Sequence, residues 1–289
     1  MLSSLARSFS LLVALTLLTF LIADWAPGDY LSTLRLSPQV SEETVEANRT
    51  RLGLDRPWLL RYFDWCKSAV TGGFGTSLAY GVPVSQLLAD RLPQTLTLNL
   101  VSTLGAWILA FAGGSLAAAH GGSWLDRTIT ALQAWLSGTP DLLVALAAIW
   151  LWGGQPWIPY AVLTIGTLPT LLVHTRSAIA SALAHDSVKA ARLYRIRGFR
   201  LWTSYVLPLA AAPLVALAGL SFGTLLSASL LVEAALSYPG IGSLMLDAIQ
   251  ARDTAVAAAV TAIAGFALLS ANLLADVALR WLDPRNQQA

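Results

Sequence analysis

The stretch DSVKAARLYRIRGFRLWTSYVLP, residues 186–208, places Lys189, Arg192, Arg195, Arg197 and Arg200 in a dozen positions and then returns to apolar sequence. The chain around it is 56% hydrophobic and only 12% charged. Taken alone, the stretch reads as an amphipathic helix. Asp186 stands where a cap belongs, Val188, Ala191, Leu193 and Ile196 supply apolar contacts, and the basic side chains project elsewhere. A basic island between apolar spans can fix membrane topology or bind lipid headgroups. An anchor of that kind needs only charge. It does not need small residues, a turn and a proline at set spacing.

Outward from the island, the 289-residue chain carries apolar runs at 11–23, 96–119, 128–152, 157–173, 201–232 and 254–275. A spanning helix takes about 20 predominantly apolar residues, so the pattern predicts an all-α integral membrane protein with six transmembrane helices. The first run follows Arg7, but the ADWAPGDY after it is a poor cleavage site, and we read it as a retained helix. The segment 176–200 holds six Lys/Arg against one acid, whereas 24–93 holds seven against eight. Basic loops stay inside. This predicts a multi-pass membrane protein with both termini cytoplasmic. The expected organisation is helix 1 over 1–25, an external segment over 26–93, a five-helix core over 94–285 carrying the basic helix at about 186–200, and a tail at 286–289.

Within the external segment, Ser41 as N-cap and Gly53 as a stop bound one short helix. RPWLLRYFDWCKSAV predicts a second, amphipathic helix, with Trp58, Leu59, Tyr62, Phe63 and Trp65 available for burial. The glycine-rich TGGFGTSLAYGVPV that follows predicts a turn or hairpin. Together they suggest a small lid packed on the membrane face. Pro140, Pro169, Pro208 and Pro213 fall in or near the apolar runs. Such prolines kink helices where they pack together or line a cavity, which suits a conduit better than an anchor.

Several chemistries have no residues to carry them. No phosphate-binding Gly-Lys-Ser/Thr occurs, and His120, His174 and His185 are scattered without H-E-x-x-H. The single Cys66 permits no internal disulfide. Neither catalytic residues nor a metal site nor a nucleic-acid partner is expected, so any energy used must come from another subunit.

The spacing in 186–208 resembles the cytoplasmic coupling motif of ABC-importer permeases: E-A-A, three residues, Gly, nine residues, Ile-x-Leu-Pro. Here Lys189-Ala190-Ala191, Arg195 and Tyr205-Val206-Leu207-Pro208 keep that register, with Lys189 in place of the acid and Arg195 in place of the glycine. Gly198 is the residue expected to take over the turn. Further matches are similar to the dipeptide/oligopeptide/nickel class: LGLDRP, GGFGTS and RLPQTLTL in and after the external segment, VEAALSYPGIGSLMLDAIQARD before the last helix, and NLLADVALRWLDPR at the close. The likeness runs from about residue 5 to residue 285.

The resemblance implies a type I permease fold and a transmembrane subunit of an ATP-driven, binding-protein-dependent importer. It would form the path for peptides or a related small solute, such as nickel or a metal chelate, by alternating access. The implied partners are a second permease in a heterodimer, two ATPase subunits that hold ATP and Mg, an external solute-binding protein and membrane lipids. No cofactor is implied for this chain. Asp186, Val188, Lys189, Ala190, Ala191, Arg192, Leu193, Tyr194, Arg195, Gly198, Leu207 and Pro208 would couple to the ATPase. Glu233, Pro239, Gly240 and Gly242 would shape a loop at the outer mouth. Asp141, inside the third apolar run, is the candidate for the substrate path, because an ionisable group there is costly. It could meet an ammonium group or a cation, or hydrogen-bond a neighbouring helix or the second permease. The competing reading is a stand-alone secondary transporter of small solutes, which would need ion-coupling groups, and Asp141 is nearly the only candidate.

Overall fold

A computed structural model describes residues 2–28, 30–32 and 42–282. The expected cap Ser41 and the closing residues 283–289 lie outside that set. In chain order the helices are α1 (Leu2–Trp25), α2 (Glu42–Arg51), α3 (Trp58–Val70), α4 (Val84–Ala119), α5 (Trp124–Ser137), α6 (Asp141–Trp152), α7 (Ile158–Ala184), α8 (Asp186–Leu193), α9 (Gly198–Ala235), α10 (Ile241–Ala251) and α11 (Thr254–Leu282). By length and composition α4, α7, α9 and the 254–274 part of α11 can each cross a membrane. Helices α5 and α6 pass the same test only together, and they are bent by 96° at the break between them. With α1, whose apolar stretch Phe9–Trp25 is shorter, these are the six segments legible in the sequence.

The third segment is not the continuous span that its hydropathy suggests. Gly138, Thr139 and Pro140 interrupt it. Pro140 has no N–H to continue a helix, and its extended conformation starts α6 in a new direction. Asp141 is therefore the first residue of a half-helix.

The chain divides into two compact units: Met1–Thr95 with Pro239–Phe266, and Leu96–Tyr238 with Ala267–Ala289. In the first unit α3 packs on α1. Tyr62 and Trp65 are buried and form an aromatic cluster with Phe20 and Phe74, while Leu59 and Phe63 stay exposed. Tyr62 Oη lies 3.2 Å from Thr16 Oγ1, and burial raises that phenol above its ordinary pKa. Arg61 donates to Asp24 at 2.9 Å. Helix α2 ends as expected at Gly53, whose φ of +67° allows Leu54 N–H to reach the Arg49 carbonyl at 2.9–3.0 Å, here 3.0 Å. The glycine-rich stretch closes as a tight turn: Thr76 bridges Pro83, and Ser77 N–H donates to the Val82 carbonyl at 2.9 Å.

In the second unit α7 packs against α5, α6 and α9. Its partner α4 approaches closely through glycines. A Cβ on Gly114 would stand 3.0 Å from the Arg176 backbone nitrogen, and one on Gly105 would stand 3.3 Å from Thr164 Oγ1. Small residues are what let membrane helices come this near. Buried hydrogen bonds add to the contact: Asn99 Nδ2 donates to Ser229 Oγ at 2.9 Å, and Trp107 Nε1 to Ser221 Oγ at 3.2 Å. The outward side of α4 leaves Leu100, Leu104 and Ile108 exposed, as a surface meeting lipid or another apolar helix requires.

Candidate functional site

Helix α8 and the turn after it form a shelf at the end of α7. The cap is His185 rather than Asp186. The His185 ring nitrogen Nδ1 accepts from the Ser187 N–H at 3.3 Å. Asp186 is the first helical residue and pairs with Lys189 at 2.9 Å; that ammonium holds its carboxyl below the ordinary carboxylate range. Val188 and Ala191 are buried. They pack against Ile179 and Ala182 of α7 and against Leu201, Val206 and Ala210 of α9. These two residues therefore face the chain's own core. Ala190, Lys189 and Arg192 face out. Leu193, Tyr194 and Phe199 are 84%, 83% and 84% exposed.

The turn uses Arg195 as well as Gly198. Arg195 has φ +59°, so the residue in the place of the motif's glycine is itself left-handed. Arg195 N–H donates to the Arg192 carbonyl and Ile196 N–H to the Ala191 carbonyl, both at 3.0 Å. This is the paired hydrogen bonding of a Schellman cap, and the partly buried Ile196 packs into the same apolar cluster as Ala191. Holding a non-glycine residue left-handed costs roughly 1–2 kcal/mol, offset here by two satisfied carbonyls and that apolar contact. Gly198, at φ +60°, makes a second left-handed step as α9 begins. A π-turn over Trp202–Val206 follows, in which Leu207 N–H reaches the Trp202 carbonyl. Pro208 accounts for it: proline donates no hydrogen bond and its ring crowds the carbonyl four residues back, so the turn widens.

Two cavities open between α7 and neighbouring helices. One of about 500 Å³ is lined by His174, Ser177 and Ser181 of α7 and by His185 just after it, facing Leu209 and Pro213 of α9. The other, of about 220 Å³, is lined by Asp141 with Gly166, Thr167 and Thr170 of α7 and Ser221 and Thr224 of α9. The Asp141 carboxylate lies so close to Gly166 that a Cβ there would collide with it.

The four outer-loop residues do not share one loop. Glu233 is fully buried in the last turn of α9, Pro239 and Gly240 lie in the connection, and Gly242 belongs to the first turn of α10. The left-handed residue there is Ser237 (φ +52°), with Tyr238 N–H on the Glu233 carbonyl at 2.9 Å. Gly240 is extended, a conformation open to any residue.

The model of the family described as binding-protein-dependent transport system inner membrane component matches residues 110–288. The chain belongs to this family. Among its relatives, the oligopeptide transport system permease protein AppB of Bacillus subtilis (strain 168) is 31% identical over 96% of each chain. A putative peptide permease protein of Brucella suis biovar 1 is 28% identical over 95% of this chain and 94% of its own. The glutathione transport system permease protein GsiC of Escherichia coli (strain K12) is 29% identical over 94% of each. Among solved structures, a chain of the MetNI methionine ABC transporter in an inward-facing conformation superposes with a TM-score of 0.63 at 18% identity, covering 68% of this chain and 97% of that one.

The molecule is thus a multi-pass permease subunit of an ABC importer in the inner membrane, and ATP is used by partner subunits. Membership sets aside the stand-alone secondary transporter. Two polar contacts of the permease escaped the sequence reading. Arg176, counted among the basic loop residues, sits within α7 and makes a bidentate pair with Asp126 of α5 at 2.6 and 2.8 Å. Asp253, buried ahead of α11, accepts from Ser77 Oγ at 2.6 Å and Ala79 N–H at 3.1 Å, while Arg252 donates to the Gly28 carbonyl at 3.1 Å. The signal for this second pair was present as the Arg-Asp dipeptide closing the outer-loop motif.

Proposed function

We propose that this permease imports peptides, that its shelf at 185–200 is the seat of an ATPase subunit, and that it works beside a second, different permease. Two ATPase subunits and an external solute-binding protein would complete the assembly, with both termini and the shelf in the cytoplasm. The names of the relatives, for peptides, oligopeptides and glutathione, support the substrate class. One observation carries the coupling role. The shelf is buttoned to the body by Val188 and Ala191, with Ile196 packed beside them, while Leu193, Tyr194 and Phe199 stand exposed among arginines. A cytoplasmic surface with three large uncovered apolar side chains on a rigid, capped helix fits a protein groove, where aromatic anchors dominate binding. Because the shelf packs directly on α7 and α9, a push on it would move both helices. Pro208 and the π-turn then set how the push enters α9.

The test is a Tyr194→Ala/Phe199→Ala variant of the assembled transporter. Both side chains are solvent-facing, so the permease should fold with unchanged thermal stability. Co-purification of the ATPase subunits and ATP-dependent uptake of tri-alanine should fall at least about tenfold, as expected for loss of interface anchors. Full ATPase retention and full uptake would refute the coupling role.

A further inference from the structure

We propose that the cavity bounded by Asp141, Thr167, Thr170, Ser221 and Thr224 receives the ammonium group of a solute passing through the permease. The proposal rests on the reading of the chain as a peptide permease and adds which end of the solute the membrane subunit itself recognises. The lining is rich in acceptors and poor in donors. Thr167 Oγ1 gives its proton to the Leu163 carbonyl at 2.8 Å, Ser221 Oγ to the Ala218 carbonyl at 2.9 Å, and Thr224 Oγ1 to the Ser221 carbonyl at 3.0 Å. A hydroxyl has one proton and two lone pairs. With the protons spent on the backbone, what these oxygens can still offer is acceptance, although Ser221 already uses one lone pair on Trp107.

Asp141 adds two acceptor oxygens, and among the described residues no hydrogen bond or ion pair reaches its side chain. The carboxylate is half-buried at the break between α5 and α6, with Gly166 cleared beneath it. A carboxylate at that depth in a membrane bundle calls for a donor. Among the described residues, no neighbouring helix supplies one. A single carboxylate balances one positive charge, and an ammonium offers three donors to the oxygens around it. A cavity of about 220 Å³ has room for such a group with its adjoining carbons. Thr170 stands at the exposed side of the lining, where a chemical probe can reach.

The experiment uses the whole transporter with Cys66→Ser and Thr170→Cys in this permease, and follows alkylation of the introduced thiol. Tri-alanine at about ten times its dissociation constant should slow the reaction about tenfold. N-acetyl-tri-alanine and sodium chloride at matched concentration should leave it unchanged, and adding Asp141→Asn should remove the protection. Equal protection by the acetylated peptide, no protection by either peptide, or protection that survives Asp141→Asn would overturn the proposal. Protection by sodium chloride alone would overturn it in favour of an inorganic cation. If the Asp141→Asn transporter fails to assemble, the contrast between free and acetylated peptide still decides. Uptake of tri-alanine by the same preparation separates the two failures: uptake without protection sinks only the site, while absence of uptake sinks the peptide reading as well.

Discussion

The shelf at 185–208 and the latch at Asp253 fix loops in opposite ways. On the shelf every polar contact is local: His185 to Ser187, Asp186 to Lys189, Arg195 to Arg192. Its hold on the rest of the molecule is apolar, through Val188 and Ala191. At the latch the hold is polar and joins residues far apart in sequence, since the buried Asp253 binds Ser77 and Ala79. Each solution matches what the surface must do. A docking face of the kind proposed for the shelf would need its charges turned outward, so apolar contacts would have to secure it from behind. A glycine-rich turn has little apolar surface to bury, so hydrogen bonds to a carboxylate must hold it in place.

That contrast can be broken most severely at Val188. Val188→Asp puts an unpaired charge into the cluster behind the shelf and should cost about 3 kcal/mol or more. The readout is a lowered unfolding temperature of the purified permease, with cleavage by trypsin at Arg192 and Arg195. An unchanged protein would mean that the shelf is held by something other than its apolar contacts.

The latch should respond differently. Asp253→Ala strands the Ser77 hydroxyl and the Ala79 N–H, a penalty of about 2 kcal/mol, but the loss stays local. Hydrogen exchange should accelerate over residues 76–82, while α7 and α9 remain protected. Uniform acceleration across the chain would show that the latch supports the whole fold rather than one turn.

The smallest effect sharpens the comparison. Arg195→Gly relieves the left-handed strain of the shelf's cap and should raise stability by about 1 kcal/mol, whereas Arg195→Ala, equally strained, should not. Thermal unfolding of the three proteins checks this. If Arg195 were kept for its side chain, ATPase affinity would fall in both variants despite the gain in stability of one.

Spacing exposed the shelf because short-range chemistry builds it. Small residues at 190 and 191, a turn four positions on and a proline at 208 all act within one or two helical turns. Arg195 was misjudged for the same reason. Local propensity favours Gly198 as the turning residue, and it does turn, but Ile196 reaching the apolar cluster makes Arg195 turn left-handed before it. Pro140 was legible as a kink, but the 96° change of course was not, because hydropathy measures how apolar a run is and carries no information on direction. Asp126–Arg176 and Asp253–Ser77 join residues 50 and 176 positions apart, a separation over which neither periodicity nor motif spacing speaks. Asp141 was legible as a residue out of place. Its surroundings were not, because the faces of α7 and α9 that meet it are set by packing.

The glycines on α4 carry one further implication. With nothing but hydrogen at 114 between its backbone and that of α7, the two helices have no layer of side chains to slide on. Any larger residue at 114 would have to force the two backbones apart.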